Sequence, residues 1–163
     1  MKHLCTISSL IICLLSACAE GRPDFVYSCD VRTNGWSQTD TLVFPFHHPF
    51  SEHESAVPNQ QEMSLQLAVR YMASYPMQPL PLHFRLMDSS GKALSGYSLK
   101  LSLTDSDGVP EGTGWGSFTT LDLKEIPYHI QLPDTGSYSL LVWPETKINN
   151  IASLTVGFLY DKR

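Results

Sequence analysis

Apolar and polar residues alternate along most of this chain with a period of two residues. The clearest run spans residues 63–72, where apolar side chains stand at Met63, Leu65, Leu67, Val69 and Tyr71 and mostly polar ones between them. A period of two places the apolar side chains on one face of a strand, and that face must pack on another apolar surface. The pattern therefore predicts half-buried antiparallel strands.

The same alternation recurs along the chain and predicts about nine strands. Turn signals such as Asn34-Gly35 separate them, and no segment shows a sustained helical period. Short strands with one apolar face each are best satisfied by two sheets packed face to face. We therefore expect an all-β, antiparallel β-sandwich, jelly-roll-like or Ig-like, with a closed barrel as the main alternative. The predicted strands are 25–31, 39–46, 63–72, 80–86, 97–103, 118–123, 128–132, 137–143 and 154–160.

The first residues carry an export signal. Lys2 supplies positive charge, residues 4–15 are almost unbroken apolar sequence, and Ser16-Ala17 provides the small residues before a cleavage site. The sequence 15–18, Leu-Ser-Ala-Cys, has the residue types of a lipobox, in which Cys18 carries lipid; an ordinary signal that ends near a cysteine is the alternative. We expect a signal peptide at 1–17, a lipidated tether at 18–24 and one domain at 25–163.

The cysteine count and the charge exclude some classes of protein. Two of the four cysteines leave with the signal and Cys18 takes lipid, so Cys29 has no partner for an intrachain disulfide. Its place on the apolar face of a strand predicts a buried, unreactive thiol. A net charge of −5, with only eleven lysines and arginines, argues against a nucleic-acid partner.

Three groups of polar residues suggest a metal site or a catalytic site, but the sequence around each of them does not favour it. His47, His48 and His53 suggest zinc, but adjacent residues on an extended chain point in opposite directions. The sequence 105–108, Asp-Ser-Asp-Gly, opens like a calcium loop but lacks the ligands that would close it. Asp107, Glu111 and Asp122 could supply a glycosidase pair, as the acids of almost any domain could. We therefore expect no metal, no cofactor and no catalytic residue.

The tryptophans are the strongest candidates for binding. Trp115 stands between Gly114 and Gly116, and Trp36 follows a turn signal. An aromatic residue on a loop can anchor a protein partner or stack on a sugar, but it can also plug the end of a core. Trp36, Trp115 and Trp143 are the candidate residues for partner or glycan binding.

Behind the lipobox, aromatic, glycine and proline residues stand in a characteristic order. They are Asn34-Gly35-Trp36, Asp40, Val43 to Phe46, Leu67 to Arg70, Tyr75-Pro76, Leu80, Leu103-Thr104-Asp105, Gly112, Gly114-Trp115-Gly116, Gly136-Ser137-Tyr138 and Ile151 to Gly157. With these positions the chain resembles the gliding motility lipoprotein GldH family. The resemblance spans nearly the whole mature chain and departs from the family pattern at Tyr71 and at Trp143-Pro144.

The resemblance implies an accessory lipoprotein of the cell envelope that is not an enzyme and is associated with the gliding machinery and its linked protein secretion. Relatives also occur in bacteria that do not glide, so motility is a family label. We expect other envelope proteins as partners, and a lipid anchor on Cys18 in the outer membrane, facing the periplasm. The leading hypothesis is a membrane-tethered protein-interaction module; a lipid-anchored glycan-binding β-sandwich is the alternative, and a hydrolase is a third.

Overall fold

The computed structural model describes residues 25–32, 34–48, 61–76, 78–122, 125–133 and 135–160. These residues form ten strands, and none of them belongs to a helix that could cross a membrane. The expected signal at 1–17, the lipid site Cys18 and the tether at 18–24 lie outside the described residues. The strands are β1 (Phe25–Asp30), β2 (Leu42–His48), β3 (Gln61–Met72), β4 (Leu80–Asp88), β5 (Ala93–Leu101), β6 (Thr113–Trp115), β7 (Phe118–Asp122), β8 (Ile126–Leu132), β9 (Gly136–Pro144) and β10 (Ile151–Tyr160).

The strands form two separate antiparallel sheets. The first sheet has the order β1-β10-β3-β7-β6, with β8 also paired to β3, and the second sheet has the order β2-β9-β4-β5. The first four strands alternate between the sheets, and the first strand pairs with the last, which is a jelly-roll arrangement. The predicted all-β sandwich is therefore confirmed, and the closed barrel is not what forms.

Each of the nine predicted strands is present, but several have other bounds: the strand predicted at 97–103 is β5 at Ala93–Leu101, and the strand predicted at 39–46 is β2 at Leu42–His48. His47 and His48 therefore belong to the end of β2, and Gln61 begins β3. The tenth strand, β6, is absent from the nine predicted strands, because its three exposed residues stand among glycines and show no alternation.

Side chains from both sheets meet in one core. Phe46 of the second sheet lies 4.4 Å from Phe158 of the first, measured between ring centroids, and Phe84 lies 6.2 Å from Tyr128 in the same sense. All four rings are buried. Because burying a large apolar side chain contributes about 1.5–3 kcal/mol, these contacts across the sheets hold the sandwich closed.

The strand directions define two ends of the sandwich. Phe25 pairs with Phe158, and Phe158 pairs with Leu65 on β3. From Leu65, β3 runs on to Met72, a rise of about 23 Å. We call the two ends the Phe25 end and the Met72 end. The segment before β1 joins the domain at the Phe25 end.

Candidate functional site

Trp36 closes the core at the Met72 end. Its backbone forms an isolated bridge with Ile148, with N–O distances of 2.7 and 2.8 Å. Its indole Nε1–H donates to the carbonyl oxygen of Asp40 at 2.6 Å, and the residue is only 1% exposed. The ring offers no free face, so this position favours the core role over the binding role.

Trp115 has the opposite environment. It ends β6, the three-residue edge strand of the hairpin that β6 forms with β7, and it is 96% exposed. Gly112, just before this strand, has φ +111°, and a Cβ there would clash with the carbonyl oxygen of Thr120. Gly116, in the turn, has φ +65°. The glycines thus allow a tight hairpin that presents the indole ring to solvent.

The strand register places two more apolar side chains beside Trp115. Trp115 pairs with Phe118, and Phe118 pairs with Met72 on β3, so the three side chains share the outer face of the first sheet. Phe118 is half-buried and Met72 is 36% exposed. The guanidinium carbon of Arg70 lies 4.6 Å from the centroid of the Phe118 ring. We call Met72, Phe118 and Trp115 the Trp115 row.

Hydrogen bonds hold the hairpin in place from two sides. The hydroxyl of Tyr71 donates to the carbonyl oxygens of Leu103 and Glu111, at 2.6 and 2.5 Å, and so closes the connection that leads into β6. Burial raises the pKa of this hydroxyl, which therefore keeps its proton as a donor. In addition, the Ala73 N–H donates to the carbonyl oxygen of Ser117 in the hairpin turn, at 3.0 Å.

Trp143 lies on the outer face of the second sheet, at the end of β9 that is nearer to the Met72 end. It is half-buried, and its neighbours on β4 contact the ring. His83 stacks on it with 5.6 Å between centroids, and the guanidinium carbon of Arg85 lies 5.1 Å from a ring centroid. Trp143 thus has polar companions, whereas the companions of Trp115 are apolar.

The structure places the two described candidate histidines on opposite faces of β2. His47 is exposed and bonds the Ser137 hydroxyl at 3.3 Å, while His48 is buried and its Nδ1 lies 2.9 Å from the Tyr160 hydroxyl. Burial, followed by the charge of His47, lowers the pKa of His48. His53 lies outside the described residues.

The acidic candidates are used locally or are exposed. One carboxylate oxygen of Asp105 accepts hydrogen bonds from the backbone N–H groups of Asp107 and Val109, each at 2.9 Å, as in an ordinary turn. The side chains of Asp107, Glu111 and Asp122 are exposed. Across the part of the chain that the structure describes, no three His, Cys, Asp or Glu residues are placed to hold a metal ion.

Cys29 is half-buried on β1, and its thiol lies 3.8 Å from the carbonyl oxygen of Val43. Burial, with a smaller contribution from the charge of Asp30, raises the pKa of this thiol. The thiol therefore stays protonated and poorly nucleophilic.

The sequence matches the family described as GldH lipoprotein over residues 26–158, which covers nearly all of both sheets. The chain belongs to the GldH lipoprotein family. Membership confirms the resemblance drawn from the sequence and implies a lipoprotein anchored to a membrane of the cell envelope. No curated protein matches this GldH-family sequence.

Solved structures similar to this GldH-family chain are distant. The CBM35 from Cellvibrio japonicus Abf62 has a TM-score of 0.35 and 14% identity over 80% of this chain and 74% of its own. The glucuronidase BtGH115A, with specificity for decorated arabinogalactans, has a TM-score of 0.39 and 9% identity over 83% of this chain and 14% of its own. A CocE/NonD family hydrolase from Staphylococcus aureus has a TM-score of 0.39 and 7% identity over 85% of this chain and 33% of its own.

The sequence did not reveal the neighbours of Trp115 and Trp143. Phe118 and Met72 lie beside Trp115 only because β3, β7 and β6 pair in a particular register. His83 and Arg85 likewise reach Trp143 through the pairing of β4 with β9. The alternation of the sequence marks all these residues as outward-facing or half-buried, but it carries no signal for which strands are adjacent.

Proposed function

We propose that this GldH-family lipoprotein is a membrane-tethered protein-interaction module without enzymatic activity, and that the Trp115 row is the surface that docks on its partner. The partner is another envelope protein of the gliding machinery or of the protein secretion linked to it. Acylation of Cys18 holds the module at the outer membrane, on the periplasmic side.

The observation that carries the proposal is the 96% exposure of Trp115 in line with Phe118 and Met72. An indole ring of a residue that is 96% exposed adds almost no apolar burial to folding. Large aromatic side chains of this kind commonly supply most of the binding energy of protein interfaces. A ring of low conformational entropy, held on a tight hairpin, loses little freedom when a partner covers it.

The position of the row supports the same reading. The row lies at the Met72 end, while the tether joins the domain at the Phe25 end, about 23 Å away along the strands. A domain held by its Phe25 end would therefore present Trp115 away from the lipid surface, where another envelope protein can reach it. A ring meant to enter the membrane would be better placed at the Phe25 end.

Complementation of a deletion strain tests the proposal. The strain should receive the lipidated protein with Trp115→Ala or with Val109→Ala, a control that truncates another exposed apolar side chain, 57% exposed. We expect Trp115→Ala to lose surface spreading, or to alter the profile of secreted proteins, and to lose its chemical cross-links to envelope proteins at normal abundance. Val109→Ala should behave as the unaltered protein.

The alternative, a glycan-binding module, predicts a different result in the same strains. Cross-links to envelope proteins would then persist in Trp115→Ala, while retention of the purified protein on envelope polysaccharide would be lost. That pair of results would replace the protein-docking proposal with the glycan one. Full complementation by Trp115→Ala would reject the Trp115 row as a functional surface altogether.

A further inference from the structure

The outer face of the second sheet carries a cluster of aromatic, apolar and cationic side chains that the Trp115 row does not involve. Strand register places Leu141 and Val43 beside Arg85, and His83 beside Trp143. Val43 is 49% exposed and Leu141 is half-buried. We call Val43, His83, Arg85, Leu141 and Trp143 the Arg85 face.

This face differs in charge from the protein as a whole. The chain has sixteen acidic and eleven basic residues, yet the outward positions of β2, β9, β4 and β5 hold Arg85, Lys100 and two histidines and no carboxylate. Glu145 follows β9 and lines a shallow cavity with Lys100 at the end of the sheet. Asp88, which ends β4 at an inward register position, accepts hydrogen bonds from Ser90 and from the Lys92 backbone N–H. Arg85 lies farther along β4, away from that cavity.

Arg85 itself is exposed and held in place. Its guanidinium stacks on the Trp143 ring, which is further packed by His83, and the His83 ring nitrogen Nδ1 lies 2.8 Å from the Ser98 hydroxyl. Within the described residues Arg85 has no ion pair. Its neighbour across the register on β5 is Gly96, which has no side chain to cover it. A stacked arginine keeps its planar N–H donors free for a carboxylate.

We propose that the Arg85 face is a second docking surface, and that it binds an acidic polypeptide segment of a partner protein. Arg85 pairs with a carboxylate of that segment, and Val43 and Leu141 contact its apolar side chains. Complementary charge on the two surfaces speeds encounter and disfavours partners of the wrong sign. This proposal stands independently of the Trp115 row, which lies on the other sheet.

Sugars and membrane phosphates fit the Arg85 face less well than an acidic polypeptide does. A sugar needs an open ring face to stack on, whereas two neighbours already contact the Trp143 ring. Membrane phosphates are expected at the Phe25 end of the sandwich. The Gly136 end of β9 lies there, because Gly136 pairs with His48, whose ring bonds Tyr160 beside Phe25. Trp143 lies at the opposite end of β9. A polypeptide supplies both the carboxylates and the apolar groups that this surface can contact.

Fluorescence anisotropy with the mature, lipidated protein in a non-ionic detergent tests the proposal. The probe is a labelled peptide of three Glu-Glu-Leu-Gly repeats, and its counterpart has Gln in place of every Glu. The test variant is Arg85→Gln. The control variant is Arg32→Gln, which removes the same charge from an exposed arginine that pairs with Asp40 at 3.5 Å. Thermal unfolding confirms that both variants remain folded.

We expect the acidic peptide to bind, its affinity to fall about fivefold or more in Arg85→Gln, and Arg32→Gln to change it by less than about twofold at low salt. The Gln peptide should bind no better than background. Equal losses in the two variants would overturn the proposal. So would Arg85-dependent retention on phosphatidylglycerol vesicles or on a polyuronate that exceeds binding of the peptide.

Discussion

Two tryptophans that each follow a glycine take opposite roles in this protein. Trp36 is 1% exposed because its backbone bridges Ile148 across the end of the core, and its Nε1–H is bonded. Trp115 is 96% exposed because it ends an edge strand whose register turns it to the outer face of the first sheet. The residue before each tryptophan is the same, so the backbone pairing of each tryptophan, and not its local sequence, decides whether the ring is buried or exposed.

Gly112 is the glycine on which the Trp115 hairpin depends most, and its substitution makes a sharp test. Gly112→Ala should lower the free energy of unfolding by more than Gly91→Ala in urea titrations. Both positions have positive φ, +111° and +82°, which costs an L-residue about 1–2 kcal/mol. Only at Gly112 does the new Cβ also meet a backbone carbonyl, that of Thr120; a Cβ at Gly91 meets nothing within 4 Å. Equal losses in the two variants would contradict the close approach seen in the hairpin.

At the scale of elements, the alternation of apolar and polar residues predicted individual strands but not the surfaces that form where two strands pair. Nine strands were predictable because each buries one face, as β4 does with Leu80, Leu82, Phe84 and Leu86. β6 was not, because all three of its residues are exposed and none alternates. The Trp115 row and the Arg85 face could not be predicted either, since both are created by register between distant strands. Of the residues in the Trp115 row, the sequence identified Trp115 as a binding candidate, because glycines stand on both sides of it.

The hydroxyl of Tyr71 offers a test of how the hairpin is supported. Tyr71→Phe removes the donor for the carbonyl oxygens of Leu103 and Glu111. The Leu103 carbonyl keeps the backbone N–H of Glu111, at 3.0 Å, so the loss is that of an ordinary hydrogen bond, about 0.5–1.5 kcal/mol. We expect this loss in urea unfolding, together with faster amide hydrogen exchange at 112–115. Tyr128→Phe is the control, since it removes a hydroxyl bonded to Ser95 at 2.7 Å, away from the hairpin.

The two variants separate local support from general stability. Tyr128→Phe should lower stability while leaving the exchange of the β6 amides close to that of the unaltered protein under native conditions. If Tyr71→Phe also left that exchange unchanged, the hydroxyl would stabilise the domain without positioning the segment that carries Trp115.

At the scale of the whole molecule, the jelly roll places two different surfaces on one tethered body. The Trp115 row is apolar and lies on the first sheet, and the Arg85 face is cationic and lies on the second. Both lie toward the Met72 end, away from the point where the tether joins β1. The net charge of −5 conceals the cationic face, because residues that are scattered along the sequence gather on one side of a sheet.

Cys18→Ala tests whether this arrangement needs its anchor. Cys18 lies outside the described residues, and the domain it precedes buries its own core, so the unlipidated chain should fold with the same unfolding midpoint as the acylated protein. Each buried methylene contributes about 0.8 kcal/mol, so the two or three acyl chains expected on Cys18 would hold the protein firmly at the membrane. Without them, a surface that binds a membrane-bound partner loses the high local concentration that tethering provides.

We therefore expect Cys18→Ala, exported behind a signal peptide whose removal needs no lipidated cysteine, to be folded and soluble and to fail to complement a deletion strain. Cys29→Ala is the matched control, because it removes the other cysteine expected in the mature chain, a half-buried thiol with a raised pKa, and should complement. Fractionation and circular dichroism establish location and folding in both strains. If soluble Cys18→Ala protein restored spreading and secretion at normal abundance, the docking surfaces would act without the membrane, and tethering would not be part of the mechanism.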